Sequence, residues 1–281
     1  MWWHFTNKQL DLTPPIKVMG IVNVTPDSFS DGGKYSSTEL AIEHGLKLVE
    51  HGADLLDIGG ESSRPGALPV PLEEELRRVV PVVEGLAKRT TVPISVDTTK
   101  AEVARRTLAV GAQIINDITA LRGDSQMASV VRETKAGIIL MHMQGTPQTM
   151  QKAPHYQNVV AEVKGFLAES AQYATEQGIA PERIVLDPGI GFGKTFEHNL
   201  ELIRNLPEFG SLGYPILLGV SRKGMIGQMT GKPTGERLIG SLTVAMVAVY
   251  EGGCQILRVH DVSETIEVVK VLSFLQKKKS P

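Results

Sequence analysis

The stretch "PISVDTTKAEVARRTLAVGAQIIND", residues 93–117, holds one whole structural unit. A short apolar run, Ile94 to Val96, ends in Asp97. Thr99 and Glu102 stand at capping-box spacing and predict a helix start. The amphipathic segment "VARRTLAVG" follows, and a second apolar run ends in Asn116 and Asp117. The unit reads strand, helix, strand, with a polar residue closing each strand.

The same unit recurs on both sides. "VMGIVNV", "LLDIGG", "GIILMH", "RIVLD", "PILLGVS" and "QILRVH" join "PISVD" and "QIIND" as short runs of Ile, Leu and Val without polar alternation. Such runs are expected of parallel strands buried on both faces. Ser36 with Glu39 predicts a capped helix ending at Gly52, and "NVVAEVKGFLAESAQYATEQG" predicts a long helix closed by Gly178. Eight strand–helix units predict an α/β protein, a (β/α)8 TIM barrel forming a single domain over residues 1–281, with the barrel at about 16–275. The alternative, a doubly wound sheet, lacks its Gly-rich turn after the first strand.

Composition narrows the function. Hydrophobic residues make up 42% and charged residues 21%, as in ordinary globular proteins, and the net charge of −2 gives no reason to expect nucleic acid as a partner. No apolar run approaches the roughly 20 residues that span a bilayer. The N-terminal "MWWHFTNKQL" lacks the pattern of a secretory signal, and a lone cysteine, Cys254, suits a reducing compartment as a small buried hydrophobe. The expected location is the cytoplasm, away from membranes.

How the strands end is more informative. Asn23, Asp57 with Glu61, Asp97, Asn116 with Asp117, His142, Asp187, Ser221 with Lys223, and Arg258 with His260 all lie at or just beyond strand ends. A barrel gathers these ends on one face, where active sites lie. Any one of them reads equally well as a turn former or helix cap. Turn chemistry alone does not call for Lys223, Arg258 and His260. Asp97, Asn116 and Asp187 offer oxygens to a flat, N–H-rich heterocycle. Arg64, Lys223, Arg258 and His260 suit a phosphate or carboxylate. "DPGIGFGK", residues 187–194, misses phosphate-loop spacing by one residue and reads instead as a flexible loop that bends sharply.

"GIVNVTPDSFSDGG", "DIGGESSRPGA", "SVDTTKAEVA", "INDI", "MHMQGTPQTM", "LDPGIGFGK", "GVSRKGMIG" and "LRVHDV", in this order from about residue 16 to 270, resemble the dihydropteroate synthase family, the sulfonamide-inhibited enzymes of folate biosynthesis. The resemblance implies a (β/α)8 transferase that joins 6-hydroxymethyl-7,8-dihydropterin diphosphate to 4-aminobenzoate, giving 7,8-dihydropteroate and pyrophosphate. It implies that Asp97, Asn116, Asp187 and Lys223 hold the pterin, and that Arg258 stacks on it and contacts the diphosphate with His260 and Ser63. Asn23 would ligate Mg²⁺ bound to that diphosphate. Phe192 and Pro65 would line the aminobenzoate side. It also implies a homodimer through the late helices, where "ERLIGSLTVAMVAVYEGG" is unusually apolar.

An S_N1-like substitution on these residues needs no protein base, because an arylamine is already a nucleophile; no Ser/His/Asp or Cys/His constellation is evident. Fixed positive groups, Arg64 among them, favour pyrophosphate departure. The polar loop after the first strand then reads as a lid. Phe29 would cover the aminobenzoate ring, and Asp31 would pair with Arg64. Two positions depart from the family pattern. Ser63 stands where Thr is usual, and Gly224 where Ser is usual, removing a hydroxyl near the aminobenzoate carboxylate; backbone N–H groups of the next helix remain for that carboxylate. A methyltetrahydrofolate–corrinoid methyltransferase is one rival reading, but the lid and "SRK" segments argue against it. A non-catalytic pterin-binding protein is another, and intact Asn23, Lys223, Arg258 and His260 argue against that.

Overall fold

Eight parallel strands follow one another around a barrel. The computed structural model describes residues 1–14, 16–25 and 34–275, and the side chains of all these except 34–36. A hairpin, β1 (Trp2–Phe5) and β2 (Lys8–Asp11), precedes the barrel strands. These are β3 (Lys17–Asn23), β4 (Leu55–Gly59), β5 (Ile94–Asp97), β6 (Ile114–Asp117), β7 (Gly137–Met141), β8 (Ile184–Asp187), β9 (Leu217–Leu218) and β10 (Ile256–Val259). Between and after them come α1 (Lys34–Glu50), α2 (Leu72–Ala87), α3 (Ala101–Ala109), α4 (Met127–Thr134), α5 (Val159–Glu176), α6 (Phe196–Arg204), α7 (Gly224–Thr230), α8 (Leu238–Tyr250) and α9 (Val262–Leu275). The hydrogen-bonded order runs β8-β7-β6-β5-β4-β3-β10-β9. A parallel bridge between Leu186 and Ile216 joins β8 to the β9 edge and closes the ring. The expected (β/α)8 barrel is present, and closure excludes the doubly wound alternative.

Alternation of side chains sorts each strand into an inner and an outer set. Val18, Val22, Leu56, Ile58, Val96, Ile115 and Leu140 point outward and form the large core beneath the helices. Met19, Leu55, Ile114, Ile139, Val185, Leu217 and Ile256 point inward and form a second core with Trp3, Phe5 and Leu12 of the hairpin segment. Burial on both faces explains why the strands read as continuous apolar runs. The hairpin plugs the N-terminal end of the barrel, with Trp3 Nε1 donating to Arg183 O at 2.9 Å. A side chain at Gly137, where β7 begins, would meet Phe5 at 3.1 Å.

Helix starts differ from the expected capping boxes. Helix α1 begins at Lys34, two residues ahead of Ser36. In α3 the Ala101 N–H donates to Asp124 Oδ2 at 2.9 Å, and neither Thr99 nor Glu102 caps it. Glu102 pairs instead with Arg105 and Arg106 one turn on, a local pairing that leaves the helix end to a carboxylate from the next loop. Helix α5 ends before a left-handed Gly178, as expected, and at its start Asn158 Oδ1 accepts from Ala161 N–H at 2.9 Å. "PILLGVS" yields only two strand residues. Its remainder turns early, through a Lys223 N–H to Val220 O bond and a left-handed Arg222. Among the described residues no helix is long and apolar enough to cross a membrane.

Candidate active site

The inward positions change character along the strands. Next to the apolar layer lie Asp57, Ser95 and Asn116, and beyond them Asn23, Gly59 and Asp97 are register neighbours on β3, β4 and β5. Arg258 of β10 reaches across this opening. Its Nε donates to Asp57 Oδ2 at 2.6 Å and its Nη2 to Asp97 Oδ2 at 2.9 Å. Asn116 Nδ2 donates to the same Asp57 oxygen at 3.1 Å. Burial pushes Asp97 up to about 7, against the pull of Arg258 and with Asp57 and Glu75 adding to the rise. Burial opposes the charge on Arg258, but Asp57 and Asp97 outweigh it and hold the guanidinium above its ordinary range. Among the described residues Asp57 Oδ1, Ser95 Oγ and Asn116 Oδ1 are buried acceptors with no partner. Native proteins rarely leave such atoms unpaired without a bound group to serve them.

Across the opening, Asp187 ends β8 with Oδ1 accepting from Gly189 N–H at 2.7 Å, and burial raises its pKa. Lys223 Nζ lies 4.1 Å from the centre of the Phe192 ring. Burial brings this ammonium down to about 8 although Asp187 supports its charge. The 187–194 segment bends sharply, as expected, but it is firmly tied. Lys194 is buried, and its Nζ donates to the carbonyls of Gly189 and Phe192, both at 2.9 Å, and meets His142 Nδ1 at 2.9 Å. Gly189 and Gly193 adopt left-handed backbone, and a Cβ at Gly193 would sit 2.4 Å from Gln144 O. Only glycine fits there.

His260 lies on the third side. Ser221 Oγ accepts from His260 N–H at 3.2 Å and meets its Nδ1 at 3.0 Å. Burial, then the charges of Arg258 and Arg222, push the imidazole down to about 4, so it is neutral near pH 7; the Arg64 charge also reaches it. Ser63 is half-buried and shares a small cavity with Asp97, Thr98 and Pro147, while Arg64 and Pro65 are exposed. Gly66 N–H donates to Pro147 O at 2.9 Å, tying that loop to the one after β7. Gly224 opens α7 in open space, with no heavy atom within 4 Å of an added Cβ. Phe29 and Asp31 lie outside the described residues.

The structure therefore brings Asp97, Asn116, Asp187, Lys223 and Arg258 to one opening, with Asn23, Ser63 and His260 at its edge. It also separates function from scaffold among the other strand-end residues. Asp117 closes its own turn through Thr119 and Leu121, and Glu61 accepts from Val70 N–H and from Lys100. Asp57 was legible only as a strand end, yet it orients both Arg258 and Asn116. The signal for it was its place in "LLDIGG": an acid two residues inside the strand end points into the barrel. Among the described residues no three His, Cys, Asp or Glu side chains group as a metal site. Asn23 Oδ1 lies 3.9 Å from where a Gly59 side chain would begin, beside Asp97. Mg²⁺ is satisfied by one or two protein oxygens when phosphate and water supply the rest, so a lone Asn carbonyl at this edge fits it.

Comparison with known proteins identifies the family. The family model for pterin binding enzymes matches residues 19–260. A dihydropteroate synthase of Escherichia coli (strain K12) is 50% identical over 263 residues, covering 94% of this chain and 92% of the relative. The Xanthomonas albilineans dihydropteroate synthase with 4-aminobenzoic acid superposes with a TM-score of 0.90 at 48% identity, over 96% of both chains. The same organism's enzyme in complex with 7,8-dihydropteroate gives 0.90 at 45% identity, over 99% of this chain and 100% of the other. A barrel with buried acceptors gathered at its open end, similar along nearly its whole length to these enzymes, belongs to the dihydropteroate synthase family of pterin-binding enzymes.

Proposed function

We propose that this chain condenses 6-hydroxymethyl-7,8-dihydropterin diphosphate with 4-aminobenzoate, releasing pyrophosphate and 7,8-dihydropteroate. The observation that carries the reading is the trio of acceptors at the opening. Asn116 Oδ1 is buried without a partner among the described residues, Asp97 lies beside it, and Asp187 faces Lys223. A pterin edge carries N–H donors and a carbonyl; the three acceptors answer the donors, and the Lys223 ammonium answers the carbonyl. Relatives whose structures hold 4-aminobenzoic acid and 7,8-dihydropteroate support the same assignment.

The chemistry follows from fixed charge. Arg258, held by two carboxylates, meets the pterin and its diphosphate without having to reorganise. Ser221 Oγ accepts from the His260 backbone N–H and meets Nδ1. With the Ser221 hydrogen directed to Nδ1, the neutral ring carries its proton on Nε2 and offers it to the departing diphosphate. Arg64 and Ser63 approach the same group from the loop after β4. When bound to the diphosphate and to Asn23, Mg²⁺ would neutralise leaving-group charge. As the exocyclic carbon becomes positive, Asp97 and Asp187 favour it. Aminobenzoate enters beside Phe192 and Pro65, its carboxylate toward Lys223 and the start of α7. Its neutral amine attacks unaided, so catalysis is positioning and electrostatics.

The assembly we propose is a homodimer. Ile239, Val247 and Tyr250 of α8 and Val271 of α9 are exposed apolar side chains on neighbouring helices, a surface suited to a second copy. A cytoplasmic location accords with the single buried thiol of Cys254. Pyrophosphate release, followed with and without 4-aminobenzoate and Mg²⁺, tests the reading. Release that depends on both supports it, and a folded protein that turns over neither substrate overturns it.

A further inference from the structure

Lys194 is a buried amine that the reaction scheme does not use, and burial lowers its pKa to about 7 although Asp187 supports its charge. The residue is only 2% exposed, and its Nζ reaches four acceptors: Gly189 O, Phe192 O, His142 Nδ1 and, at 3.5 Å, His142 O. Two of these lie in the loop after β8 and two on His142 at the end of β7. The same two loops are stitched at further points. Gln151 Nε2 donates to Gly191 O at 2.8 Å, and Tyr156 OH donates to Gly193 O at 2.8 Å. The His142 ring is itself fixed edge-on to Phe166, 4.7 Å between centroids. Burying an ammonium is costly unless every donor is satisfied, so a lysine is a demanding choice for mere filling.

What distinguishes the two residues this loop serves is how each is held. Asp187 belongs to β8, and its own carbonyl accepts from His142 N–H at 2.9 Å within the ladder. Phe192 lies five residues on, outside any strand, and its carbonyl is gripped by Lys194. We infer that Lys194 is a positioning residue for the aminobenzoate side of the site: through the Gly189 and Phe192 carbonyls it fixes the loop that carries the Phe192 ring. The inference rests on the proposed reaction. It goes beyond it by separating the loop that places the second substrate from the strand that places the first.

The test is steady-state pyrophosphate release by Lys194→Met, Phe192→Leu and the double variant, beside the wild-type enzyme. Lys194→Met should raise the 4-aminobenzoate KM roughly 5- to 20-fold, the scale of a lost hydrogen bond felt through the residue it holds, and leave the pterin diphosphate KM within about 2-fold. The effects of Lys194→Met and Phe192→Leu on the aminobenzoate KM should be clearly less than additive, because one acts through the other. His142→Phe keeps the packed ring and removes one acceptor. It should move the same KM in the same direction by less, and it enters the same cycle if Lys194→Met does not fold. Equal rises in both KM values, or additive effects in the cycle, would overturn the inference. An inactive wild-type enzyme would fault the proposed reaction instead.

Discussion

The two ends of one barrel interior are built on opposite principles. Toward the N-terminal ends of the strands, Met19, Leu55, Ile114, Ile139, Val185, Leu217 and Ile256 close on Trp3 and Phe5 with no charged side chain among them. Two residues further along four of these strands the same inner face carries Asp57, Asn116, Asp187 and Arg258, with Asp57 and Asn116 each keeping an acceptor that is unpaired among the described residues. The closed end gains from burying apolar surface. The open end pays for burying charge, which it offsets only in part by pairing Arg258 with two carboxylates. A single periodicity thus places stability at one end and recognition at the other.

The comparison can be broken first at the closed end. Trp3→Ala should lower unfolding free energy by about 3–5 kcal/mol, as large-to-small changes in a sealed core do, while both KM values stay near wild type. Denaturant titration beside kinetics checks this. If turnover fell with stability untouched, the hairpin would be part of the site and not a plug. At the open end the balance should invert. Asp187→Asn keeps an acceptor for Gly189 N–H, and Lys223→Met keeps the aliphatic contact with Phe192. Each should weaken pterin diphosphate binding by about 1.5–3 kcal/mol with small changes in stability. Calorimetric affinities unchanged in both variants would place the pterin elsewhere.

Between the ends stands His142, whose burial, reinforced by the Lys194 charge, holds its pKa down at about 3. A folded-state value below the ordinary one of about 6.5 contributes stability that is fully present above pH 6.5 and is lost as the pH falls toward 3. Wild type should therefore lose stability relative to His142→Phe by up to about 1.4 kcal/mol per pH unit between pH 6.5 and 4. Parallel stability curves for the two proteins across that range would show that the ring is protonated in the fold. The smallest expected effect lies at the mouth. Gly224 has neither left-handed φ nor a neighbour in the way, so Gly224→Ser can add a hydroxyl without strain. We expect the aminobenzoate KM to drop several-fold, less than the roughly 1.5–3 kcal/mol of a full charged hydrogen bond because water recovers part of it. An unchanged or higher KM would mean that the carboxylate lies away from the start of α7.

Much of this site was legible in the chain because each cue was local. Asp97, Asn116 and Asp187 end apolar runs, and parity along a strand sends them into the barrel. Lys223 and Arg258 stood out as cations that no turn requires. Lys194 was not legible. Its loop read as flexible because three glycines precede it, whereas Gly189 and Gly193 allow the neighbouring loop to approach and the lysine ties the two together. The Thr99–Glu102 capping box failed for a related reason. Asp124, distant in sequence, reached the α3 N-terminus, and Glu102 found arginines on its own helix.

By itself the sequence determined the order of strands and helices and which residues would stand at the strand ends, since periodicity and strand polarity act over a few residues. Tertiary structure alone decided that the N-terminal hairpin plugs the barrel, that Asp57 holds Arg258 across 201 positions of chain, and that Lys194 serves the Phe192 loop. Those choices depend on which groups ring closure brings within about 3 Å, where a buried charge must find its partners or lose its place in the fold.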